Sequence, residues 1–191
     1  MQLKNIINFA GITAVVLTLT ACSAYSTKKA ADIDVAFNFH YVLVERPILG
    51  LPTQEQIDSL SPYLSKRLQT QLIAARAAED ARQKSHAGSE PPMVQGSAFH
   101  SLFEGARRII DIQAETSVPS SILVLFEYSP DPDSAVDAIK WHDRTFIIHE
   151  DGRPVVDDIE YLGKWDFKPS GRLSQLLQGV IDNQVELKKH Q

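Results

Sequence analysis

The chain has 191 residues, of which 43% are hydrophobic and 23% are charged, and this length suits one domain with an ordinary core. The formal net charge of −5 offers no electrostatic footprint for nucleic acid or for anionic lipid headgroups, so we expect neither as a partner.

The N-terminal stretch predicts a lipoprotein signal peptide. One positive charge, Lys4, precedes an apolar run over residues 6–19, and Leu19-Thr20-Ala21-Cys22 then resembles the lipobox of a bacterial lipoprotein. The alternative is an uncleaved transmembrane helix, but a span needs about 20 apolar residues and this run is shorter. We therefore expect residues 1–21 to be removed and Cys22 to become the lipidated first residue.

The predicted lipid anchor determines the expected localisation of the protein in the cell. A thiol is nucleophilic enough to take diacylglycerol as a thioether, and the amine that cleavage frees can carry a further acyl chain such as palmitate. Several acyl chains hold a protein at a membrane permanently. Ser23 is not the aspartate that marks inner-membrane retention in enterobacterial sorting, so by that resemblance we expect the outer membrane, facing the periplasm. The chain has one cysteine, so lipidation of Cys22 would exclude disulfides and thiol catalysis.

The lipidated N-terminus and a flexible tether are predicted over residues 22–34. Asp32 or Asp34 would then cap a first helix over residues 35–45, which ends before Pro47 because the residue preceding a proline avoids helical geometry. Apolar residues surround the axis of this helix, so we expect it to be sandwiched between other elements.

Two further helices follow. Thr53 and Gln56 predict a capping box for a short helix that ends near Leu60. Ser61-Pro62 predicts the start of a longer helix, with serine as cap and proline at the first helical position, and we expect it to fray beyond Ala78. The apolar stripe of the longer helix is Leu64, Leu68, Leu72 and Ala75.

A flexible loop over residues 84–96 separates these helices from four predicted strands, at residues 107–116, 122–128, 138–149 and 153–162. Asp151-Gly152 predicts a type I′ turn between the last two strands. In the first strand, alternation places Ile110, Ile112 and Ala114 on one face. It places Ile109, Asp111, Gln113 and Glu115 on the other.

A final helix, capped near Ser170, closes the chain. Its apolar stripe contains Leu173, Leu176, Leu177, Val180, Ile181 and Gln184. Helices, then an antiparallel meander, then one helix predict a single α+β domain over residues 35–191. We expect a curved antiparallel sheet of about four strands with helices packed on one face, in a cone-like shape that can enclose a pocket.

Four stretches carry a family resemblance: Leu60-Ser61-Pro62-Tyr63-Leu64-Ser65, Ser101-Leu102-Phe103-Glu104-Gly105, Val155-Val156-Asp157-Asp158-Ile159-Glu160-Tyr161-Leu162 and Gly171-Arg172-Leu173. Together they resemble a family of bacterial envelope lipoproteins with a domain of unknown function in the nuclear-transport-factor-two-like (SnoaL-like) cone superfold. The resemblance implies a cone fold and an envelope address. It brings no established activity, and a fold alone does not decide function.

The adjacent acids Asp157 and Asp158 are the first candidate site residues. Neighbours on a strand point to opposite faces, so they cannot share a proton and at most one faces the cone. The inward carboxylate has two possible roles. It either accepts hydrogen bonds from helix amides or an arginine, or it acts as a general base or a ligand-binding acid.

His40, beside Tyr41 on the first helix, is the other candidate. It is either a hydrogen-bonded core histidine or a pocket residue that converges with Asp157 or Asp158 across the cone floor.

The remaining polar and aromatic residues suggest no further chemistry. The chain lacks metal-ligand, phosphate-loop and serine-nucleophile motifs, so we expect no metal and no cofactor. His142 and Asp143 face opposite ways, and we place them with His149 on a solvated or rim face. Trp141, Trp165 and Phe167 form either an exposed patch for a partner or packing under the last helix.

The leading prediction is a non-enzymatic accessory or interaction lipoprotein of the cell envelope, held at the membrane through Cys22 and docked on another envelope protein. One alternative is a small-ligand binder or hydrolase-like enzyme that uses the cone pocket with His40 and one aspartate. Side chains of Phe39, Phe126 and Phe146 filling that pocket would argue against it. The other alternative is an immunity lipoprotein that blocks a periplasmic toxin.

Overall fold

The computed structural model describes residues 10–85, 90–130, 138–165 and 169–189, with side chains described between residues 27 and 183. Over these residues the chain forms four α-helices and four strands: α1 (Ala10–Glu45), α2 (Gln54–Leu60), α3 (Lys66–Ser85), β1 (Arg108–Ala114), β2 (Ser121–Tyr128), β3 (Ile139–Glu150), β4 (Arg153–Tyr161) and α4 (Leu173–Lys189). The predicted α+β class is confirmed. The chain divides into two units, Met1–Ala31 with the first part of α1, and Asp32–Gln191 with the remaining elements.

The strands form one curved, open sheet in the order β1-β2-β3-β4, with every neighbouring pair antiparallel. Each strand lies within two residues of its predicted bounds. The predicted type I′ turn is confirmed, because Asp151 and Gly152 have φ values of 53° and 79° between β3 and β4.

A β-bulge in β1 changes which residues face the core. The register shifts between Ile109 and Asp111, so Ile110 has no partner on β2 and is 38% exposed. Ile109 instead packs against the core together with Ile112. The predicted assignment of faces was therefore wrong before the bulge, because the extra residue reverses the alternation.

The outer edge of β4 is covered at both ends. Leu64 forms a parallel bridge with Val156, and the Ser65 amide donates to the Val156 carbonyl at 2.8 Å. Further along, the Tyr161 amide donates to the Gly171 carbonyl at 3.1 Å. These bonds attach the segments before α3 and before α4 to the same strand.

One hydrophobic core joins the helices to the sheet. The predicted stripe of α3 and the apolar residues of the α4 stripe lie in it, whereas the Gln184 side chain lies outside the described residues. Its fully buried residues include Phe39, Leu43, Leu68, Leu72, Val124, Phe126, Val156, Ile159, Leu173 and Leu177. Each such side chain stabilises the fold by about 1.5–3 kcal/mol relative to exposure.

Helix α1 differs from the prediction in its start and in its packing. It runs through residues 22–34 because residues 12–45 contain neither glycine nor proline, so Asp32 and Asp34 both lie inside the helix and neither is its N-cap. The sandwiched packing is also wrong. Phe37 and Tyr41 are 40% and 48% exposed and stack on each other with centroids 5.8 Å apart. No helix among the described residues is long and apolar enough to cross a membrane.

Helix α2 has the predicted capping box, with both Thr53–Gln56 hydrogen bonds present. The start of α3 is different, because Ser61–Tyr63 form a separate 3-10 turn. Ser65 caps α3 instead, since its Oγ accepts the Leu68 amide at 3.0 Å.

Beyond Ala78, α3 does not fray but continues to Ser85. Glu79 and Arg82 are buried there as an ion pair with atoms 3.0 Å apart. Arg82 also pairs with Glu90 at 2.6 Å, and Glu79 accepts the Met93 amide at 3.3 Å. These bonds attach residues 90–93 of the predicted flexible loop to α3, while residues 86–89 lie outside the described part of the chain.

Candidate functional site

His40 projects from α1 towards the sheet and is fully buried. Its Nε2 lies 2.7 Å from Thr145 Oγ1 on β3. The rings of Phe39 and Phe126 contact it edge-on, each with a centroid distance of 4.9 Å. Burial, followed by repulsion from His100, holds the pKa of His40 well below its usual value, so the imidazole is neutral. The geometry is that of a hydrogen-bonded core histidine.

Asp157 lies at a second β-bulge, where β4 carries an extra residue opposite the Phe146–Ile147 step of β3. Its Oδ1 accepts hydrogen bonds from Ser65 Oγ at 2.6 Å and from Arg67 Nε at 3.0 Å. The bond with Asp157 also raises the pKa of the Arg67 guanidinium. Asp157 therefore connects β4 to the first turn of α3.

Asp158 is buried and accepts hydrogen bonds from the start of α4. Its Oδ1 accepts the Ser174 amide at 3.0 Å and its Oδ2 accepts Ser174 Oγ at 2.6 Å, in the first turn of α4. A carboxylate at this place satisfies free amides and complements the helix dipole. The three candidates thus bond to different residues, and the structure joins none of them to another by a hydrogen bond within its described part.

Asp143 is the polar residue that the sequence-based reasoning misplaced. It is completely buried, whereas a solvated or rim position was predicted. It accepts hydrogen bonds from the Ser101 amide (2.9 Å), Ser101 Oγ, Trp141 Nε1 (2.9 Å) and the Leu162 amide (3.0 Å). Burial raises the pKa of Asp143 to about 6 against these four hydrogen bonds, which favour the ionised form. The alternation with buried Trp141 was the signal that could have placed it inside.

The predicted solvated or rim position is confirmed for the two histidines on β3. His142 is exposed, and His149 is exposed with Nε2 3.1 Å from Asp32 Oδ1.

His100 is a buried histidine that no sequence pattern indicates, because it lies in an irregular segment without periodicity. Its Nδ1 lies 3.0 Å from Ser97 Oγ, and its ring is 5.9 Å from that of His40 and 4.9 Å from that of Phe126. Burial lowers the pKa of His100 to about 3.

The two tryptophans pack on the segment that carries His100. Trp165 is half-buried, donates from Nε1 to the Ser101 carbonyl at 2.9 Å and contacts the buried Trp141 ring at 5.8 Å. The two tryptophans do not form an exposed patch. Trp141 belongs to the hydrophobic core that also contains Leu173 and Leu177 of α4, and Trp165 packs against that core. Phe167 lies outside the described residues.

An open groove of about 310 Å³ lies between α3 and the segments that contain Leu51 and Val94. Its polar lining includes Arg76, Glu79 and Gln83, and none of the three predicted site residues borders it. The space around His40 is filled by aromatic rings instead, Phe39 and Phe126 among them. Phe146, the third ring expected to fill the pocket, is half-buried below the Arg172 guanidinium at 4.0 Å.

The described residues contain no group of three or more histidine, cysteine or acidic side chains that could hold a metal ion. Cys22 lies in α1, in the part where side chains are not described.

Comparison of the chain with family models, curated proteins and solved structures finds no match. The resemblance to cone-domain envelope lipoproteins therefore stays a prediction from the motifs.

Proposed function

We propose that this chain is a lipid-anchored lipoprotein of the cell envelope that acts by docking on another envelope protein, without catalytic turnover. One observation carries the non-catalytic part. The candidate residues His40, Asp157 and Asp158 each bond to a separate structural partner: Thr145, the start of α3 and the start of α4.

The lipobox-like residues Leu19 to Cys22 support the anchored part of the proposal. We place the lipid on Cys22 and the protein at the outer membrane, facing the periplasm, after removal of residues 1–21. The cone-like shape, with the helices on one face of the curved sheet, belongs to the same proposal.

The exposed aromatic pair on α1 supports docking. Phe37 and Tyr41 stack on each other at the surface although each carries a large apolar area. Aromatic side chains are enriched where proteins bind proteins, since they bury much area with little loss of side-chain freedom.

The test is photo-crosslinking in intact cells. A photoreactive residue replaces Tyr41, and a matched one replaces Gln178 on the exposed face of α4. We expect a discrete envelope protein to be crosslinked from position 41 and not from position 178. We also expect labelled palmitate on the full chain and none after Cys22→Ala, with loss of the crosslink in that variant.

Two results would contradict the proposal. One is palmitate incorporation that survives Cys22→Ala. The other is a purified chain that turns over a substrate and loses this activity, while still folded, on His40→Gln or Asp157→Asn.

A further inference from the structure

Two buried histidines meet beneath residues 97–106. His40 comes from α1 and His100 from this segment, and their ring centroids are 5.9 Å apart. Each ring bonds through one nitrogen only, to Thr145 and to Ser97. The other nitrogens, Nδ1 of His40 and Nε2 of His100, are buried without a hydrogen-bond partner among the described residues.

The segment around His100 is held to the sheet by side-chain hydrogen bonds. It contains neither helix nor strand of its own. Ser101 binds Asp143 on β3, and Tyr161 on β4 donates from its hydroxyl to the Ala98 carbonyl at 2.6 Å. Beyond β4, the Gly163 amide donates to Ser101 Oγ at 2.9 Å. Phe99 and Leu102 of the segment are also buried in the hydrophobic core, so the attachment of residues 97–106 depends on these contacts and on the groups below it.

We propose that the His40–His100 pair makes the attachment of residues 97–106 acid-sensitive, so that protonation of the pair releases this segment from the sheet. The inference goes beyond the proposed docking function and does not depend on it.

No carboxylate near the pair is placed to stabilise a charged imidazole by a hydrogen bond, within the described part of the chain. From β3, Asp143 faces the segment, but its carboxylate already accepts four hydrogen bonds: two from Ser101, one from Trp141 and one from Leu162. From β4 the nearby titratable group is Tyr161, whose pKa burial raises.

Two further charged groups lie near the pair. Glu104, in the segment itself, is exposed and borders the crevice beside His100. On β2, Glu127 is paired with Arg108 and Lys140, each at 3.2 Å. Two positive charges at a ring separation of 5.9 Å would therefore repel each other without compensation.

The direction of the pH effect follows from the two histidines and the one aspartate. In the attached state both histidines have lowered pKa values, and in the released state they return to about 6.5, so release takes up two protons. Asp143 works against this, since its pKa of about 6 falls to the ordinary value on release and one proton leaves. The net uptake of about one proton makes release about tenfold more favourable per pH unit near pH 5.

The experiment measures hydrogen exchange of residues 97–106 between pH 7.5 and 4.5, corrected for the intrinsic pH dependence of exchange. Tryptophan emission gives a second readout, because the chain has two tryptophans and both contact this segment. We expect protection of residues 97–106 to fall about tenfold per pH unit near pH 5, while α3 and α4 stay protected.

Two variants and one control make the test specific. His100→Asn keeps a polar atom at the place of Nδ1 beside Ser97, and His40→Gln keeps one at the place of Nε2 beside Thr145. Each variant removes one of the two histidine protons that release takes up, and the proton lost from Asp143 then cancels the other. Protection of residues 97–106 should therefore no longer depend on pH. His142→Gln, on the exposed side of β3, should leave it unchanged.

Three results would overturn the inference: protection of residues 97–106 that is independent of pH in the natural chain, simultaneous loss of protection in α3 and α4, or His142→Gln reproducing the flat profile. Should either buried variant fail to fold, the natural chain still decides the matter by NMR. The imidazole signals of His40 and His100 must then show no titration between pH 7.5 and 5.5.

Discussion

At the scale of single residues, two adjacent carboxylates on one strand organise two helices. Asp157 binds Ser65 and Arg67 at the start of α3, and Asp158 binds Ser174 at the start of α4. Asp157 is the extra residue of the bulge in β4, and Asp158 follows it opposite Phe146. What looks in the sequence like an acid pair for catalysis therefore has a positioning function.

Asp158→Ala should destabilise the protein by about 1–3 kcal/mol, because it leaves the half-buried Ser174 amide and hydroxyl without their acceptor. Ser174→Ala should cost less, since the amide bond to Asp158 persists. Urea unfolding at pH 7.5 measures both. Asp111→Asn, at an exposed position of β1, is the control and should change stability by less than about 0.5 kcal/mol. Equal stability of the Asp158→Ala and Asp111→Asn chains would contradict the assigned role.

His40, Asp157 and Asp158 could be found from the sequence because a polar residue in an apolar pattern is visible locally. Their partners could not be found, since Thr145 lies 105 residues from His40 and Ser65 lies 92 residues from Asp157. His100 has no periodic neighbours at all.

At the scale of elements, signals confined to a few residues predicted the structure well. The Thr53–Gln56 capping box and the Asp151-Gly152 turn both formed as expected, because each depends on bonds between near neighbours. The start of α3 did not, since Ser65 is selected as cap by its bond to distant Asp157. The bulge at Ile110 likewise depends on the register with β2.

Gly152→Ala should cost about 1–2 kcal/mol, because residue 152 has a φ of 79°, where a Cβ is strained. Nothing lies within 4 Å of an added Cβ, so the cost is conformational alone. Gly179→Ala is the matched change, with the same open surroundings but inside α4. It should stabilise by about 0.5–1 kcal/mol. Thermal and urea unfolding of the two variants test the opposite signs, and a shared sign would contradict the explanation.

At the scale of the whole molecule, one core and the covered strand β4 join distant parts of the chain. α3 also contacts α4 directly, where Gln71 Nε2 donates to the Ser174 carbonyl at 3.0 Å. The fold class was predictable because it depends on the order of the elements. The attachment of the 90–93 segment to α3 was not, because it depends on the buried pair Glu79 and Arg82.

Residues 32–189 should therefore unfold in one cooperative transition at pH 7.5. Far-ultraviolet circular dichroism reports mainly the helices, and tryptophan emission reports the region of Trp141 and Trp165. Because these regions share the core, the two urea curves should coincide. Separate midpoints would show that the helices and the sheet are independent units.

The position of β4 between Leu64-Ser65 and Gly171-Arg172 has a consequence for how the protein is made. A ribosome releases α3 about ninety residues before the strand against which its first turn docks. Early in synthesis the Leu68–Leu72 stripe therefore has no strand to pack against. Contacts that span so much sequence also form slowly. The apolar stripe of α3 therefore lacks its partner strand until residues 153–161 have been made.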